Sequence, residues 1–345
     1  MSAAQIPAQV LRRWHRLDGA TVTPIESGLI NRTYLLDTGK QRYILQRLHP
    51  VFESTVNRDI DAVTRHLQTK GLVTPKLIRC DDEALSCEAA DGVWRLLDYI
   101  RGQTAHAISG KKMASEAGRM AAQYHTALSD FDYEYRYSRG HVHDTPAHLE
   151  KLRATLKSHS DHRLHAEVAP LAENVLQTTE RFTDIDKLPL RHCHGDLKVS
   201  NVLFDNDWHA ICLVDLDTVN RMAWPLEMGD ALRSWCNPRT EDQLAARLDL
   251  GILEAVMSGY AGAAPEWLTD AEKNALVSGL ARICLELSAR FLTDALRECY
   301  FGWDAETYAT CGEHNLARGR AMAALYIDVM QKKQAANRIV TSCLG

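Results

Sequence analysis

The sequence predicts an α+β fold in two lobes, a small β-rich N-terminal lobe and a larger helical C-terminal lobe. Three observations predict it. The first hundred residues alternate short apolar strands with turn signals around a single helical stretch. From about residue 111 onward, apolar positions recur at helical spacing. Between those helical stretches sits one short β-type island, residues 190–219, rich in aspartate. The lobes are expected to divide as residues 1–98 and 99–345, joined near residue 99 with Gly102 at the junction.

Taken in order, Thr21–Pro24 leads into a turn-rich stretch from Glu26 and then an apolar strand ending at Leu36. Asp37-Thr38-Gly39-Lys40 is a hairpin turn, and Tyr43–Leu48 is the returning strand. Ile60, Val63 and Leu67 share one face of a helix over 57–69. Pro75, Leu77 and Ile78 open another extended segment, and Val93–Ile100 is a β-rich run. Met113, Ala117, Met120, Ala121, Tyr124 and Leu128 form the apolar stripe of one helix. Leu276, Leu280, Ile283, Leu287, Phe291 and Ala295 form that of another. Such stripes are core.

Composition narrows the function classes. The chain has 345 residues, 46% hydrophobic and 25% charged, with a net charge of −5, which argues against nucleic-acid and anionic-membrane partners. The N-terminus lacks the apolar centre of a signal peptide, and no apolar run approaches the roughly 18 residues of a membrane helix. Nine scattered cysteines without a CxxC pair read as buried, reduced thiols of a cytoplasmic protein. His192-Cys193-His194 has no second ligand pair at zinc spacing, and His159, His162 and His165 read as a solvated face.

The aspartate island carries chemistry. It reads His194-Gly195-Asp196-Leu197-Lys198-Val199-Ser200-Asn201, then an apolar strand Val202–Phe204, then Leu213-Val214-Asp215-Leu216-Asp217. Phosphoryl transfer to a hydroxyl needs one carboxylate to orient the nucleophile and accept its proton. It also needs hard oxygen ligands that hold magnesium on the phosphates. Asp196 with Asn201 five residues later, followed by a strand delivering Asp215, supplies those parts in the required order. Lys198, two residues after Asp196, is placed to meet the transferred phosphate. No DFG and no APE-type segment follows, which separates the chain from protein kinases proper.

These residues resemble the HGDxxxxN motif of the aminoglycoside phosphotransferase/choline kinase superfamily. The likeness spans nearly the whole chain and is strongest to the N-acetylhexosamine 1-kinases, through GLINRTYLL at 28–36, YILQRLHPVF at 43–52, HGDLKVSNVLFD at 194–205, VDLDTV at 214–219, RFLTDAL at 290–296 and HNLARGR at 314–320. The resemblance implies a protein-kinase-like fold that uses ATP and magnesium, with Asp196 as catalytic base and Asn201 and Asp215 as metal ligands. It makes residues 1–98 the nucleotide-binding lobe and 99–345 the catalytic and substrate-binding lobe. Gly28, Asn31 and Thr33 take the place of a phosphate loop. Arg47 takes the place of the phosphate-pairing cation, for which the helix over 57–67 offers Asp59 and Asp61 but no Glu. Asp98, Tyr99 and Ile100 fall in the adenine-reading hinge. Asp217, Arg233, Arg290, Asp294 and Arg318 surround the acceptor, with Asp230 and Arg233 at a helix start, where Asp230 caps the helix or braces the catalytic loop. Arg290 and Asp294, four apart, are also spaced for an ion pair along one helix face. Residues 220–226 depart from the subgroup pattern beside the acceptor. The implied activity is phosphorylation of a small molecule, foremost the anomeric hydroxyl of an N-acetylated hexosamine. The alternatives are an amine-bearing acceptor such as an aminoglycoside, choline or homoserine, and a non-catalytic nucleotide-binding protein.

Overall fold

A computed structural model of the protein describes residues 6–25, 31–137, 142–239, 242–263 and 266–345. It separates into two compact units. One comprises Met1–Gly102, Asp130–Arg139 and Val214–Val219, and the other Gln103–Ser129, Gly140–Leu213 and Asn220–Gly345.

The first unit contains α1 (Ala8–Leu11), β1 (Thr21–Ile25), β2 (Arg32–Asp37), β3 (Arg42–Arg47), α2 (Val56–Thr69), β4 (Leu77–Ile78), β5 (Cys87–Ala89) and β6 (Gly92–Asp98). Its sheet is antiparallel throughout, in the order β1-β2-β3-β6-β4, with β5 also on β6. Register decides what each face does, because strand side chains alternate. Tyr34, Leu45 and Leu96 lie side by side across β2, β3 and β6, and with Leu36, Tyr43 and Trp94 they pack onto Val10, Trp14 and Leu17. The next row, Thr33, Gln46 and Arg95, belongs to the opposite face. Helix α2 buries Val56, Ile60, Val63 and Leu67 at helical spacing. Its Asp59, itself buried, accepts hydrogen bonds from the Tyr133 hydroxyl (2.8 Å) and from the backbone N–H of Arg136 (2.9 Å) and Tyr137 (2.8 Å). That carboxylate ties a segment distant in sequence to the sheet unit.

The second unit holds α3 (Lys111–Ala127), α4 (Thr145–Ser158), α5 (His165–Thr179), β7 (Leu190–Cys193), β8 (Val202–Phe204), β9 (Ala210–Leu213), β10 (Asn220–Ala223), α6 (Trp224–Trp235), α7 (Leu250–Ala261), α8 (Asp270–Arg297), α9 (Cys311–Gln331) and α10 (Lys333–Leu344). The 28-residue α8 is its spine, packed against α4, α5, α6 and α9, and it begins with a capping box formed by Thr269 and Glu272. Two glycines let α6 and α8 touch along their backbones. A Cβ on Gly229 would lie 2.8 Å from Gly279 C, and one on Gly279 would lie 2.1 Å from Pro225 O. Only hydrogen fits at that crossing, so α6 is held at one depth. Asp230 and Arg233 lie in the interior of α6 rather than at its start, and Asp230 is an ion-pair partner of Arg233, not a cap.

No helix among the described residues is long and apolar enough to cross a membrane. All nine cysteines are free thiols. Six are buried, whereas Cys299 is exposed and Cys311 and Cys343 are half-buried.

Candidate active site

In the helical unit, residues 194–201 are strung between two short ladders: β7 pairs with β10, and β8 with β9. The loop begins with a left-handed Gly195 (φ 84°), a backbone position that favours glycine. Below it, fully buried Glu227 of α6 accepts the backbone N–H of His194 (2.7 Å) and of Gly195 (2.9 Å). Burial alone would raise the Glu227 carboxyl, but His125, with help from His194 and the Gly195 N–H, holds it below the usual range. His125 stands 3.4 Å from Glu227 through Nε2. Its Nδ1 meets the Tyr260 hydroxyl at 2.9 Å, and that hydroxyl also accepts from Trp224 (2.7 Å). Ser234 of α6 accepts the Val199 N–H at 3.2 Å. Helix α6 therefore sets the loop at three points.

Three side chains then converge. Lys198 Nζ donates to Asp196 Oδ2 at 2.6 Å, and Asn201 Nδ2 donates to the same oxygen at 3.1 Å and to the Asp196 carbonyl at 2.8 Å. The Asp196 side chain keeps 24% of its surface exposed. Its partial burial would raise the carboxyl, but Lys198, then His194 and Arg233, outweigh that and keep it low, so it is an ionised acceptor at neutral pH. The Asn201 amide nitrogen is committed to Asp196. Among the described residues nothing donates to its Oδ1, which leaves that oxygen as a hard donor of the type magnesium takes. His125, Cys193 and Glu227 offer atoms within 4.8 Å of one another, yet Glu227 and His125 are engaged as above and Cys193 faces the Met222 carbonyl. They are braces of the loop.

Of the residues expected around an acceptor, Arg233, Arg290, Asp294 and Arg318 belong to this unit too, whereas Asp217 belongs to the sheet unit. Arg233 Nε donates to Asp230 at 2.9 Å, and both are buried. Asp294 does not pair with Arg290. It accepts the backbone N–H groups of Cys299, Tyr300 and Phe301 and the Asn315 amide, closing the loop after α8. Arg290 lies over the Phe301 ring (5.8 Å). Arg318 lies over Phe291 (5.6 Å) and donates to the Gly302 carbonyl at 2.7 Å.

In the sheet unit, Asp215 and Asp217 sit on the segment Val214–Val219. Asp215 is left-handed (φ 65°, ψ 60°), which costs a non-glycine residue roughly 1–3 kcal/mol and persists only where neighbours enforce it. Asp217, at 1% side-chain exposure, takes both arms of Arg95 (Nη1 to Oδ1, 2.5 Å; Nη2 to Oδ2, 2.9 Å) and the Asn31 amide (2.6 Å). Asn31 in turn accepts the His49 N–H at 2.9 Å. Gln46 binds Arg95 at 2.9 and 2.7 Å and donates to Thr33 at 3.3 Å. Asn31 and Thr33 thus share one network with Asp217, whereas Gly28 lies outside the described residues.

Arg47 stands elsewhere. Strand alternation sets it on the face opposite Thr33, Gln46 and Arg95, where it pairs with Asp91 (3.2 Å). Neither Asp59 nor Asp61 meets it: Asp59 holds the 133–137 segment, and Asp61 pairs with Arg65 (2.7 Å) and Arg79 (3.3 Å). In the expected hinge, Asp98 is closed onto the Lys76 backbone through both its N–H and its carboxylate. Tyr99 lies under the Arg42 guanidinium (5.8 Å), Ile100 is half-buried, and among the described residues the backbone groups of Tyr99 and Ile100 have no hydrogen-bond partner.

Arg95, Gln46 and Glu227 were not singled out in the sequence. Each left a signal there, because Arg95 interrupts the apolar strand Val93–Leu97 and Glu227 interrupts an apolar helical turn, Trp224–Met228. A buried charge is costly unless paired, so such interruptions mark a partner elsewhere.

Residues 21–265 match the model of the phosphotransferase enzyme family. The chain belongs to that family. Solved structures agree in fold. An aminoglycoside phosphotransferase from Alicyclobacillus acidocaldarius subsp. acidocaldarius is 16% identical with a TM-score of 0.61, covering 97% of this chain and 98% of its own. A microcompartment-associated aminopropanol kinase is 15% identical with a TM-score of 0.62, over 95% and 97%. Spectinomycin phosphotransferase, solved with ADP and spectinomycin, is 13% identical with a TM-score of 0.54, over 88% and 92%. The fold is kinase-like, with a small antiparallel sheet unit and a larger helical unit, and the family is one of phosphotransferase enzymes.

Proposed function

We propose that the chain is an ATP- and magnesium-dependent kinase that phosphorylates a sugar hydroxyl, foremost the anomeric hydroxyl of an N-acetylhexosamine. The observation that carries the reading is the convergence of Lys198 and Asn201 on an ionised Asp196, in a loop anchored by Glu227. Asp196 orients the acceptor hydroxyl and takes its proton as the new O–P bond forms and the bond from the γ-phosphorus to the bridging oxygen breaks, with ADP leaving. Lys198 shifts its charge from Asp196 toward the transferred phosphoryl group. Asn201 and Asp215 are the residues to hold magnesium, and their donor set fits, one carboxylate and one amide oxygen. Bound there, the ion neutralises charge on the phosphates. The backbone of Tyr99 and Ile100, without a hydrogen-bond partner among the described residues, is suited to reading an adenine edge. Residues 1–98 serve the nucleotide, residues 99–345 the chemistry and the acceptor, and the protein works in the cytoplasm.

A sugar acceptor is supported by the sequence likeness around Arg290 and His314–Arg320 and by the cationic side chains Arg233, Arg290 and Arg318, which suit oxygen-rich acceptors better than ammonium groups. A second reading, an amine-bearing acceptor, is favoured by the aminopropanol and spectinomycin enzymes of like fold. A coupled ADP-release assay with magnesium ATP distinguishes them, using N-acetylhexosamines, simple hexoses, choline, aminopropanol, homoserine and aminoglycosides as acceptors. Turnover with an N-acetylhexosamine and a 1-phosphate product by phosphorus NMR is the expected result. Turnover confined to amines would replace the sugar reading, and no turnover with any acceptor would count against both.

A further inference from the structure

We propose that Arg95 is a positioning residue for Asp215, acting through Asp217. The inference rests on the metal role given to Asp215 above and extends it to a residue outside the aspartate motif.

Arg95, on β6, joins β3 and α2 to that segment. Cross-strand register places it beside Gln46 of β3, which is beside Thr33 of β2. Its fork reaches Gln46 through Nε and Nη2, Asn57 of α2 through Nη1 (3.4 Å), and both oxygens of Asp217. The Arg95 and Asp217 side chains are 2% and 1% exposed, and Asn57 is fully buried. In kinases generally, a cation on the third strand pairs with a helix carboxylate to couple the helix to the phosphates. Here the third-strand cation Arg47 pairs with Asp91, and the carboxylates of α2 are occupied by other partners. The coupling passes through Arg95 instead.

Asp217 lies in the short turn Leu216–Thr218, which starts at the left-handed Asp215. Fixing the Asp217 carboxylate at two oxygens by a planar fork fixes that turn, and the turn fixes the backbone from which the Asp215 carboxylate projects. Arg95 therefore acts on the metal ligand in the way outer hydrogen-bond partners orient ligands in other metal sites, where their loss weakens metal affinity about 10–100-fold.

The test is calorimetric titration of ADP with and without magnesium chloride, on the full chain and on Arg95→Met, alongside kcat and KM. The expected result is metal-free ADP affinity within about twofold of wild type, and the magnesium-dependent gain in affinity reduced at least about tenfold. The magnesium concentration for half-maximal turnover should rise while the acceptor KM stays unchanged. Arg95→Lys, which reaches one carboxylate oxygen in place of two, should fall between. Because Arg95→Met leaves Asp217 buried without its cation, the double variant Arg95→Met with Asp217→Leu serves as the folding control. It should recover the melting temperature but not the magnesium response. A double variant that regains both, or an Arg95→Met protein with the wild-type magnesium response, overturns the proposal and leaves the metal role of Asp215 standing. A wild-type protein whose ADP binding ignores magnesium overturns that role, and the proposal with it.

Discussion

Replacing Glu227 by Gln tests whether the helix beneath the loop sets the catalytic geometry. The carboxylate accepts two backbone N–H groups, at 2.7 and 2.9 Å, in a fully buried setting. Hydrogen bonds to a charged acceptor contribute about 1.5–3 kcal/mol each, and a buried donor left without an acceptor costs a comparable amount. Glutamine keeps one oxygen for one N–H but turns its amide donors toward the other, and it removes the charge opposite His125. The expected loss is about 2–4 kcal/mol, a fall in melting temperature on the order of 3–6 °C for a chain of this length. The loop also relaxes. Since a misplacement of about 1 Å costs on the order of 100-fold in rate, kcat should drop by about that factor. Nucleotide affinity should change little. Thermal melting and steady-state kinetics on the same preparation check both halves. A variant that melts within a degree or so of wild type and turns over within a few-fold of it would refute the bracing role.

Other expected outcomes follow from the same geometry. Lys198→Met removes the cation that keeps the Asp196 carboxyl low while its burial remains, so the acidic limb of the pH–rate profile should move to higher pH and kcat should fall about 100-fold. Gly279→Ala puts a Cβ 2.1 Å from the Pro225 carbonyl, forces α6 away from α8, and should lower both stability, by about 1–3 kcal/mol or more, and kcat. Glu286, fully buried, pairs with His143 at 2.9 Å. Burial opposes its charge, but His143 holds the carboxyl down at about 2, and Glu286 in turn raises His143 against the lowering effect of burial. The lowered acid stabilises the fold above its unfolded value near 4.5 and loses that contribution as pH falls toward about 2. The raised histidine contributes below 6.5 and loses its contribution as pH rises through its elevated value. Glu286→Gln should therefore cost about 3–5 kcal/mol near pH 5.5 and less at alkaline pH, measured by melting. A penalty independent of pH would remove the ion pair from the account.

The sequence displayed local chemistry well and distant pairing poorly. Asp196, Lys198 and Asn201 lie within six residues, so spacing alone brings them together, and they meet at hydrogen-bond distance. The strand and helix periods were equally plain: the stripe from Met113 falls on α3 and that from Leu276 on α8. Which face a strand residue takes depends on register with strands far along the chain. A shift of one position separates Gln46, in the Asp217 network, from Arg47, on the other face. Arg95 and Asp217 are 122 residues apart, and Glu227 is 32 from Gly195, so neither pairing has a local signature beyond one charge within an apolar run. Asp230 reads as a cap when the start of α6 is misjudged, because its acidic character suits either position.

In the proposed mechanism Asp196 accepts the acceptor's proton without itself holding the nucleotide. Asp196→Asn keeps the shape and the Asn201 contact while removing the base, so the decisive measurement pairs ADP-release turnover with calorimetric binding of magnesium nucleotide on that variant. Nucleotide affinity should stay within a few-fold of wild type while turnover falls by about 10²–10⁴. Turnover close to wild type with the same acceptor would contradict this mechanism.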